Sequence, residues 1–460
     1  MFRLLRSILT NRDFRTYPIV VAPIPKLDAP HLPPKRSRLS TRRRRMLLVA
    51  GAWMVILVYL YCIPYAADKG GDFVHLWIGG HMVATGEIAQ LYEPAAHKAL
   101  LTQLALPLDI YWGGRYEVLG VFFYPPLTGL LYSPLGALPL YWAQTAQAIL
   151  NIGLGLLAAW LLSRILRGRL SFPAVTILLF TFPSFFYAYV LGQNGILTMT
   201  VVLAGWYALT QANPNRAGVY WSLLLFKPNW LFAVGWIPLV QRQWRMIGGI
   251  VGGLVALLLL TIGALGTAPL RAYLGVFAKL TDLHHLPQYP LESQYSILAL
   301  FRRYLGMGTT ADLVGWAVVA VLIGVTMWLT WSRQSAAAPH HNQTIEITAL
   351  GLVAAVCLNP HLHHYDLLLV SVAGVVALSE WNLLKSRQRW LVIGLFLLHQ
   401  FAFLFAELLH TSLPLPTIAM LALWGWLAVR VGLLGQRNPL TEPVQRSADS
   451  PLPRESQSLA

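Results

Sequence analysis

The most constraining feature of this chain is a series of apolar runs, many of them roughly 17–25 residues long, separated by polar segments. A helix of about 20 residues spans the hydrocarbon core of a bilayer, and a helix satisfies its own backbone polar groups there. The sequence therefore predicts an all-α, polytopic transmembrane bundle of about 11–13 spans. The predicted spans lie near residues 46–66, 141–163, 171–190, 195–212, 217–226 with 229–240 as a broken pair, 246–268, 311–332, 345–359, 364–380, 390–409 and 413–432.

Composition excludes a water-soluble domain and a disordered chain. Hydrophobic residues make up 56% of the 460 residues and charged residues only 11%, whereas soluble domains average about 25% charged. The formal net charge of +16 resembles that of a nucleic-acid binder. However, twelve of the 34 Lys and Arg residues precede residue 46, and the same segment contains only two acidic residues. Since the charge is concentrated in one tail, we predict no nucleic-acid partner.

Three segments follow from this pattern. Residues 1–45 are predicted to be a basic, mostly disordered cytoplasmic tail, residues 46–432 the membrane domain, and residues 433–460 a polar cytoplasmic tail. Two long polar loops, 67–116 and 269–310, interrupt the membrane domain.

Charge bias predicts the orientation in the cell membrane. Cytoplasmic loops are enriched in Lys and Arg, so we place the Arg42–Arg45 run and the basic clusters at 164–169 and 385–389 inside. The two long loops then lie on the non-cytoplasmic side. This assignment requires segment 118–140, which four prolines interrupt, to return to its starting side as a re-entrant pair. One kinked span is the alternative.

The predicted topology brings polar groups from several segments to one outer face. They are Asp72, Gln193, Asn194, Lys227 and the Asn359–Asp366 stretch. Polar groups at membrane depth are costly and usually functional, and irregular backbone there must line a cavity. We therefore predict a site that opens outward. Scattered loop polarity is the alternative interpretation.

Asp72 stands directly before residues 73–84, whose apolar side chains recur at helical spacing. We predict an amphipathic helix in the membrane plane, one of the interfacial helices of the first outside loop, with Trp77 as its anchor. A helix N-terminus stabilises a carboxylate. Asp72 is thus either a functional anion or an N-cap with no other role.

Lys227 precedes a proline inside apolar sequence and needs a partner. A lipid phosphate would serve, and snorkelling to the outer headgroups is the alternative. His361, His363 and His364 resemble a metal cluster to which Asp366 would add a ligand. Their spacing brings all three together only on irregular backbone, so hydrogen bonding to phosphate or hydroxyl groups is favoured and no metal is predicted.

Seven short motifs occur in order along residues 68–370. They are Asp72-Phe73, Gly86, Leu91-Tyr92, Phe123-Tyr124-Pro125-Pro126-Leu127, Gly192-Gln193-Asn194, Lys227-Pro228 and Asn359-Pro360-His361 to Asp366. In this order they resemble the GT-C superfamily of membrane glycosyltransferases. More narrowly, they are similar to glycosyltransferase family 87, the polyprenyl-phosphate-mannose-dependent α-mannosyltransferases.

The resemblance implies an inverting transfer of a hexose, mannose in this family, from a polyprenyl-phosphate donor to a glycolipid or glycan acceptor, with Asp72 as general base. A carboxylate takes the proton of the attacking hydroxyl, and the departing phosphate needs cationic or hydrogen-bonding partners. The candidate donor- and substrate-binding residues are Lys227, His361, His364, Gln193, Asn194, Tyr124, Arg115 and Asp366. No cofactor is expected, because protein cations can stabilise a departing lipid monophosphate without a metal ion. The sequence also shows no DxD-type acidic pair that would bind such a metal.

Two other functions remain open from the sequence. A transporter or flippase of a lipid-linked substrate would also use broken helices and buried charge, although no internal repeat is visible and the polar groups lie toward one face. A lipid-linked oligosaccharide ligase or polymerase would keep the enzyme class with a different donor.

Overall fold

The computed structural model describes residues 41–69, 71–106, 114–281, 291–334, 341–380, 384, 386–408 and 414–434. The predicted tails therefore lie largely outside the described residues. Residues 1–46 and 47–460 group as two units. Of the first unit the structure describes only residues 41–46, the start of one helix, and the fold with its cavity lies within the second unit.

Within the described residues, every regular element is a helix. In chain order the α-helices are α1 Thr41–Tyr61, α2 Ile63–Lys69, α3 Phe73–Ala84, α4 Pro94–Gln103, α5 Arg115–Leu119, α6 Pro126–Gly136, α7 Leu140–Ile165, α8 Phe172–Phe180, α9 Pro183–Val190, α10 Gly195–Thr210, α11 Pro214–Ser222, α12 Pro228–Val240, α13 Trp244–Leu265, α14 Ala268–Thr281, α15 Ile297–Leu305, α16 Thr309–Gln334, α17 His341–Leu358, α18 Leu368–Ser379, α19 Ser386–Leu408 and α20 Leu415–Leu434. Short 3-10 turns are Ile88–Gln90, Leu223–Phe226, Leu291–Ser293 and His364–Leu367. The predicted all-α class is confirmed.

The number of long membrane helices is lower than predicted. Among the described residues, five helices are long and apolar enough to cross a membrane, and α8 with α9, bent by 70° at their break, makes a sixth if the pair is one span. Five other apolar helices have only 10–17 residues. The prediction of about 11–13 spans was based on the length of each apolar run in the sequence. Prolines such as Pro183 and Pro228 begin new helices within or between these runs, so several runs form shorter helices.

Segment 118–140 does not form one continuous span. Residues 120–125 contain no helix, α6 follows, and Pro139 stands directly before α7. The 11 residues of α6 cover about 16 Å, or half of the hydrocarbon core. The segment is a short helix preceded by non-helical backbone, and its re-entrant topology stays a prediction.

Helix α3 is buried on nearly every side by protein. Its buried residues include Phe73, Leu76 and Trp77, and a helix that is apolar all round belongs in a core. Trp77 is only 2% exposed, and its Nε1 donates to the carbonyl oxygen of Leu138 at 3.0 Å. The prediction of Trp77 as an interfacial anchor is therefore wrong, because α3 packs against α6 instead of facing lipid.

The contact between α3 and α6 depends on small residues at the crossing. A Cβ added to Gly136 of α6 would collide with the backbone of Gly80 in α3. The two backbones thus approach more closely than any side chain would allow, as is usual where helices pack on glycine. This close packing fixes the position of α3, at whose start Asp72 lies.

A network of four charged side chains, three of them buried, joins distant parts of the chain. Arg169 donates to Glu380 at 3.0 Å, Arg430 contacts the same Glu380, and Arg430 also donates to Glu346 at 3.1 Å. The side chains of Glu346 and Glu380 are 3% and 2% exposed. The network ties the chain after α7 to α17, α18 and α20.

Candidate functional site

A cavity of about 520 Å³ collects most of the predicted site residues. Its wall is mostly apolar and aromatic, with a few polar groups. Six predicted residues line it, namely Asp72, Tyr124, Gln193, Lys227, His361 and Asp366. Asn194 and His364 are not among the lining residues. The side chain of Arg115 lies outside the described residues.

Asp72 occupies the N-cap position of α3 without capping the helix through its side chain. Its backbone is helical, with φ −73° and ψ −21°, and the carboxylate makes no cap hydrogen bond. Instead, Nε2 of Gln193 donates to Oδ2 of Asp72 at 2.9 Å. The carboxylate is therefore held toward the cavity by another element, which is not the geometry of an N-cap with no other role.

Gly192 explains how Gln193 reaches this position. Its φ is +66°, a region that glycine adopts without steric cost. A Cβ at residue 192 would lie 2.6 Å from the Cβ of Phe73. The turn between α9 and α10 can thus pass directly against the start of α3, and this brings the Gln193 amide to Asp72.

Lys227 lies at a break that its own sequence imposes. A residue before proline avoids the helical region, and Lys227 has φ −141° and ψ 77° between the 3-10 turn Leu223–Phe226 and the first residue of α12, Pro228. Its Nζ lies 2.8 Å from Oδ1 of Asp366, and the two side chains are 11% and 3% exposed. The protein itself supplies the partner that Lys227 needs, and the snorkelling interpretation is wrong.

The histidine-rich turn begins where Pro360 prevents Asn359 from continuing α17. The backbone N–H of His363 donates to Oδ2 of Asp366 at 3.3 Å, and the N–H of Asp366 donates to the carbonyl of His363 at 2.9 Å. These bonds orient the carboxylate so that its other oxygen, Oδ1, receives Lys227. The turn thus builds one half of the ion pair.

Gln294 fixes the ring of His363. Its Oε1 accepts from the N–H of Leu362 at 2.9 Å, so its Nε2 is the donor to Nε2 of His363, also at 2.9 Å. The ring's Nδ1 then donates to the carbonyl of Ser293 at 3.2 Å. Both ring nitrogens of His363 are engaged by protein. In the part of the chain that the structure describes, no three His, Cys, Asp or Glu side chains gather as a metal site.

The extended stretch before α6 is held by side chains of the first loop. The N–H of Val121 donates to Nδ1 of His97 at 3.0 Å, and Nε2 of His97 donates to the carbonyl of Leu91 at 3.1 Å. Burial lowers the pKa of His97 to about 4, so this histidine is neutral. The hydroxyl of Tyr92 donates to the carbonyl of Tyr124 at 2.7 Å. These bonds place Tyr124 against the cavity.

Several lining residues were missed from the sequence. They are His75, Tyr116 and Tyr273. For His75 a signal existed, because it follows Asp72 by three residues and shares its helix face. Tyr365 also lines the cavity, and Nζ of Lys227 lies 5.7 Å from the centroid of its ring.

The lining combines two kinds of chemistry. It contains the Asp72 carboxylate, a hydrogen-bond and proton acceptor, and also the Lys227 ammonium, which is paired with Asp366, and His361. Apolar side chains complete the lining, including Phe232, which is 69% exposed at the surface, and Trp316, which is 42% exposed. Such a cavity suits an amphiphilic substrate with an anionic head.

A model of glycosyltransferase family 87 matches residues 122–358, about half of the chain. The matched range includes Tyr124, Gln193 and Lys227, whereas Asp72 and Asp366 lie outside it. No curated protein and no solved structure matches the chain. The family match favours an enzyme over a transporter, and the apolar helices make the enzyme a multi-pass membrane protein. The chain belongs to glycosyltransferase family 87.

Proposed function

We propose that the protein transfers a hexose, mannose, from a polyprenyl-phosphate donor to a glycolipid or glycan acceptor with inversion at the anomeric carbon. One observation carries the proposal. The carboxylate of Asp72 faces the cavity, held by Gln193 and not by its own helix, while the Lys227–Asp366 pair lines the same cavity.

Asp72 is the general base of this reaction. As the acceptor hydroxyl oxygen attacks the anomeric carbon, its proton passes to Asp72, and the bond between the anomeric carbon and the phosphate oxygen breaks. The electron pair of that bond leaves with the phosphate. A single displacement of this kind inverts the anomeric configuration. A carboxylate suits the task because it accepts a proton and carries no donor in its ionised form.

Lys227 and His361 are the partners of the departing phosphate. An ammonium has three donors, so Lys227 can keep its bond to Asp366 and still donate to a phosphate oxygen. The bond to Asp366 holds the ammonium in place before the donor arrives, and preorganised charge of this kind stabilises developing negative charge. The donor is a lipid-linked sugar, so the proposal includes no cofactor.

The apolar part of the lining suits the prenyl chain. Phe232, Phe277 and Trp316 line the cavity and are each at least 40% exposed, so they extend from the polar site to the protein surface. The positive-inside bias supports placing this site on the non-cytoplasmic face of the cell membrane, with a cytoplasmic N terminus.

The test is Asp72→Asn in the purified full-length protein, assayed in nanodiscs with radiolabelled polyprenyl-phosphate-mannose. Loss of a general base is expected to lower the rate by about 100- to 10,000-fold. Asp68→Asn, four residues earlier and exposed, is the matched control and keeps wild-type activity. Full activity of Asp72→Asn would overturn the base assignment. Movement of the labelled lipid across liposomes without cleavage would replace the enzyme with a transporter.

A further inference from the structure

Gln294 lies behind the cavity and contacts the turn that carries one half of the ion pair. Its side chain is 0% exposed, and it is not among the residues that line the cavity. His363, which it contacts, does line the cavity. The proposed mechanism assigns a role to neither residue, although both are placed where they can influence Asp366.

Two hydrogen bonds join the backbone of the turn to residues 294 and 295. The N–H of Leu362 donates to Oε1 of Gln294 at 2.9 Å, and the N–H of Tyr295 donates to the carbonyl of Leu362 at 2.7 Å. Leu362 is therefore held on both sides of its backbone, one residue before His363. The turn cannot shift at this point without breaking a buried hydrogen bond, which is costly.

The segment that holds the turn is itself fixed by two helices. Arg303 of α15 donates to the carbonyl oxygens of Leu291 at 2.9 Å and of Gln294 at 3.0 Å. The hydroxyl of Thr417 in α20 donates to the carbonyl of Tyr295 at 2.7 Å. Gln294 thus meets the turn from an anchored support.

The side chain of Gln294 also selects one protonation state of His363. Because Oε1 accepts from Leu362, the other end of the amide is a donor, and it lies 2.9 Å from Nε2 of His363. Nδ1 of the ring lies 3.2 Å from the carbonyl of Ser293, which only accepts. Both contacts are satisfied by a neutral ring with its proton on Nδ1. An imidazolium would direct a second N–H against the amide donor.

We propose that Gln294 is a positioning residue of the transferase. It keeps His363 neutral, with the proton on Nδ1, and thereby holds the Lys227–Asp366 pair in place for the departing phosphate. The inference rests on the proposed function. The connection runs through the backbone, because the N–H of His363 donates to Oδ2 of Asp366 at 3.3 Å and Oδ1 receives Lys227 at 2.8 Å. A charged His363 would lose its bond to Gln294, and the backbone that orients Asp366 would lose its support.

The charged and titratable groups near His363 come from three parts of the chain. They are Glu292 and Tyr295 before α15 with Arg303 in it, His361, His364, Tyr365 and Asp366 in the turn, and Lys227 before α12. The ring centroids of His361 and Tyr365 lie 4.8 Å and 5.2 Å from that of His363. Gln294→Met changes the partner of the His363 ring and leaves each of these groups in place.

The test compares two variants of Gln294 in the full-length protein in nanodiscs, with polyprenyl-phosphate-mannose as the donor. Gln294→Met removes both side-chain hydrogen bonds and keeps a neutral side chain of similar length. Its kcat is expected to fall by about tenfold, with less change in the KM for the donor. Gln294→Glu still accepts from Leu362 but accepts from the ring as well, so it favours the imidazolium. Gln103→Met and Gln103→Glu, at the exposed end of α4, are the matched controls with wild-type kinetics.

The pH dependence of kcat separates positioning from support of the fold. Loss of the donor at Nε2 lets His363 take up a proton more readily. The acidic limb of the profile is therefore expected to move to higher pH by about one unit in Gln294→Met and further in Gln294→Glu. A merely structural role would lower the melting temperature and leave the limb in place.

Nitrogen-15 NMR of the imidazole rings reports the protonation state of His363 without any turnover. The signals that vanish in His363→Asn belong to this residue. At neutral pH the wild-type ring is expected to show a protonated Nδ1 and an unprotonated Nε2. In Gln294→Glu both nitrogens are expected to be protonated.

Three results would overturn the inference. They are a wild-type ring that is charged or carries its proton on Nε2, a wild-type kcat in Gln294→Met, or an acidic limb that stays in place in both variants. Absence of mannose transfer by the wild-type protein would instead refute the proposed function, and the NMR result would still decide the state of His363. Transfer by the wild type with an unchanged ring in both variants would refute the role of Gln294 alone.

Discussion

Nε2 of Gln193 donates a hydrogen bond of 2.9 Å to Oδ2 of Asp72, joining two residues that are 121 positions apart in the chain. The bond connects the N-terminus of α10 with the N-terminus of α3. The hydrogen bond from the turn before α10 fixes the direction of the Asp72 carboxylate. A general base must lie within hydrogen-bond reach of the proton that it accepts, so a fixed direction favours this role.

Replacing Gln193 by Leu is expected to lower kcat about tenfold to 100-fold. A hydrogen bond to a charged group contributes about 1.5–3 kcal/mol, and each 1.4 kcal/mol or so is a factor of ten in rate. Steady-state kinetics with both substrates measures the change. Gln211→Leu, the same substitution at an exposed site after α10, should be silent. An unchanged kcat in Gln193→Leu would show that the bond does not orient the base.

Variants of the Lys227–Asp366 pair are expected to affect the stability of the protein and its transferase activity differently. Lys227→Met leaves the Asp366 carboxylate buried without its cation, which costs about 3–5 kcal/mol, so the melting temperature should fall. The double variant Lys227→Met with Asp366→Asn removes both charges and should recover the melting temperature but not transfer. If the double variant also recovers transfer, Lys227 serves the fold and not the phosphate.

The four-charge network is expected to be essential for stability and irrelevant to the chemistry. Glu380→Gln removes the anion shared by Arg169 and Arg430 and should destabilise the protein by about 3 kcal/mol. Thermal unfolding in detergent measures the loss. Glu117→Gln changes an exposed carboxylate and should leave the melting temperature within error. Equal melting temperatures in both variants would mean that the network does not support the fold.

His97 is expected to make the first loop sensitive to acid. Burial lowers its pKa from 6.5 to about 4, so between these values the unfolded chain binds more protons than the folded one, and stability falls as the pH drops from about 6.5 to about 4. The full effect is about 3 kcal/mol. His97→Gln should flatten the dependence of the melting temperature on pH in this window. An equally steep dependence in the variant would assign it to other groups.

Apolar periodicity predicted much of the helical framework. The runs at 141–163, 246–268 and 311–332 coincide with α7, α13 and α16 to within a few residues. A run of apolar residues reports that a segment avoids water, but it does not distinguish burial in lipid from burial in protein. That is why α3, whose apolar surface meets α6, was predicted as an interfacial helix.

The candidate site could be predicted only in part because its bonds are tertiary. Lys227 and Asp366 are 139 positions apart, and each was identified alone, as a polar residue in an apolar setting. Their pairing needed the break at Pro228 and the turn after Pro360 to meet. Tyr116 gave no such signal, since a tyrosine near an interface is common.

The four-charge network implies an order in which the helices of the protein assemble during biogenesis. Glu346 receives Arg430 only when α20, the last described helix, has reached its place beside α17. Until then a chain emerging from the ribosome holds that glutamate without its arginine, at a cost the bilayer does not relieve. The early helices can insert one by one, but the membrane domain reaches its final packing only when α20 has inserted. A product truncated before α20 is thus expected to be a substrate for membrane quality control.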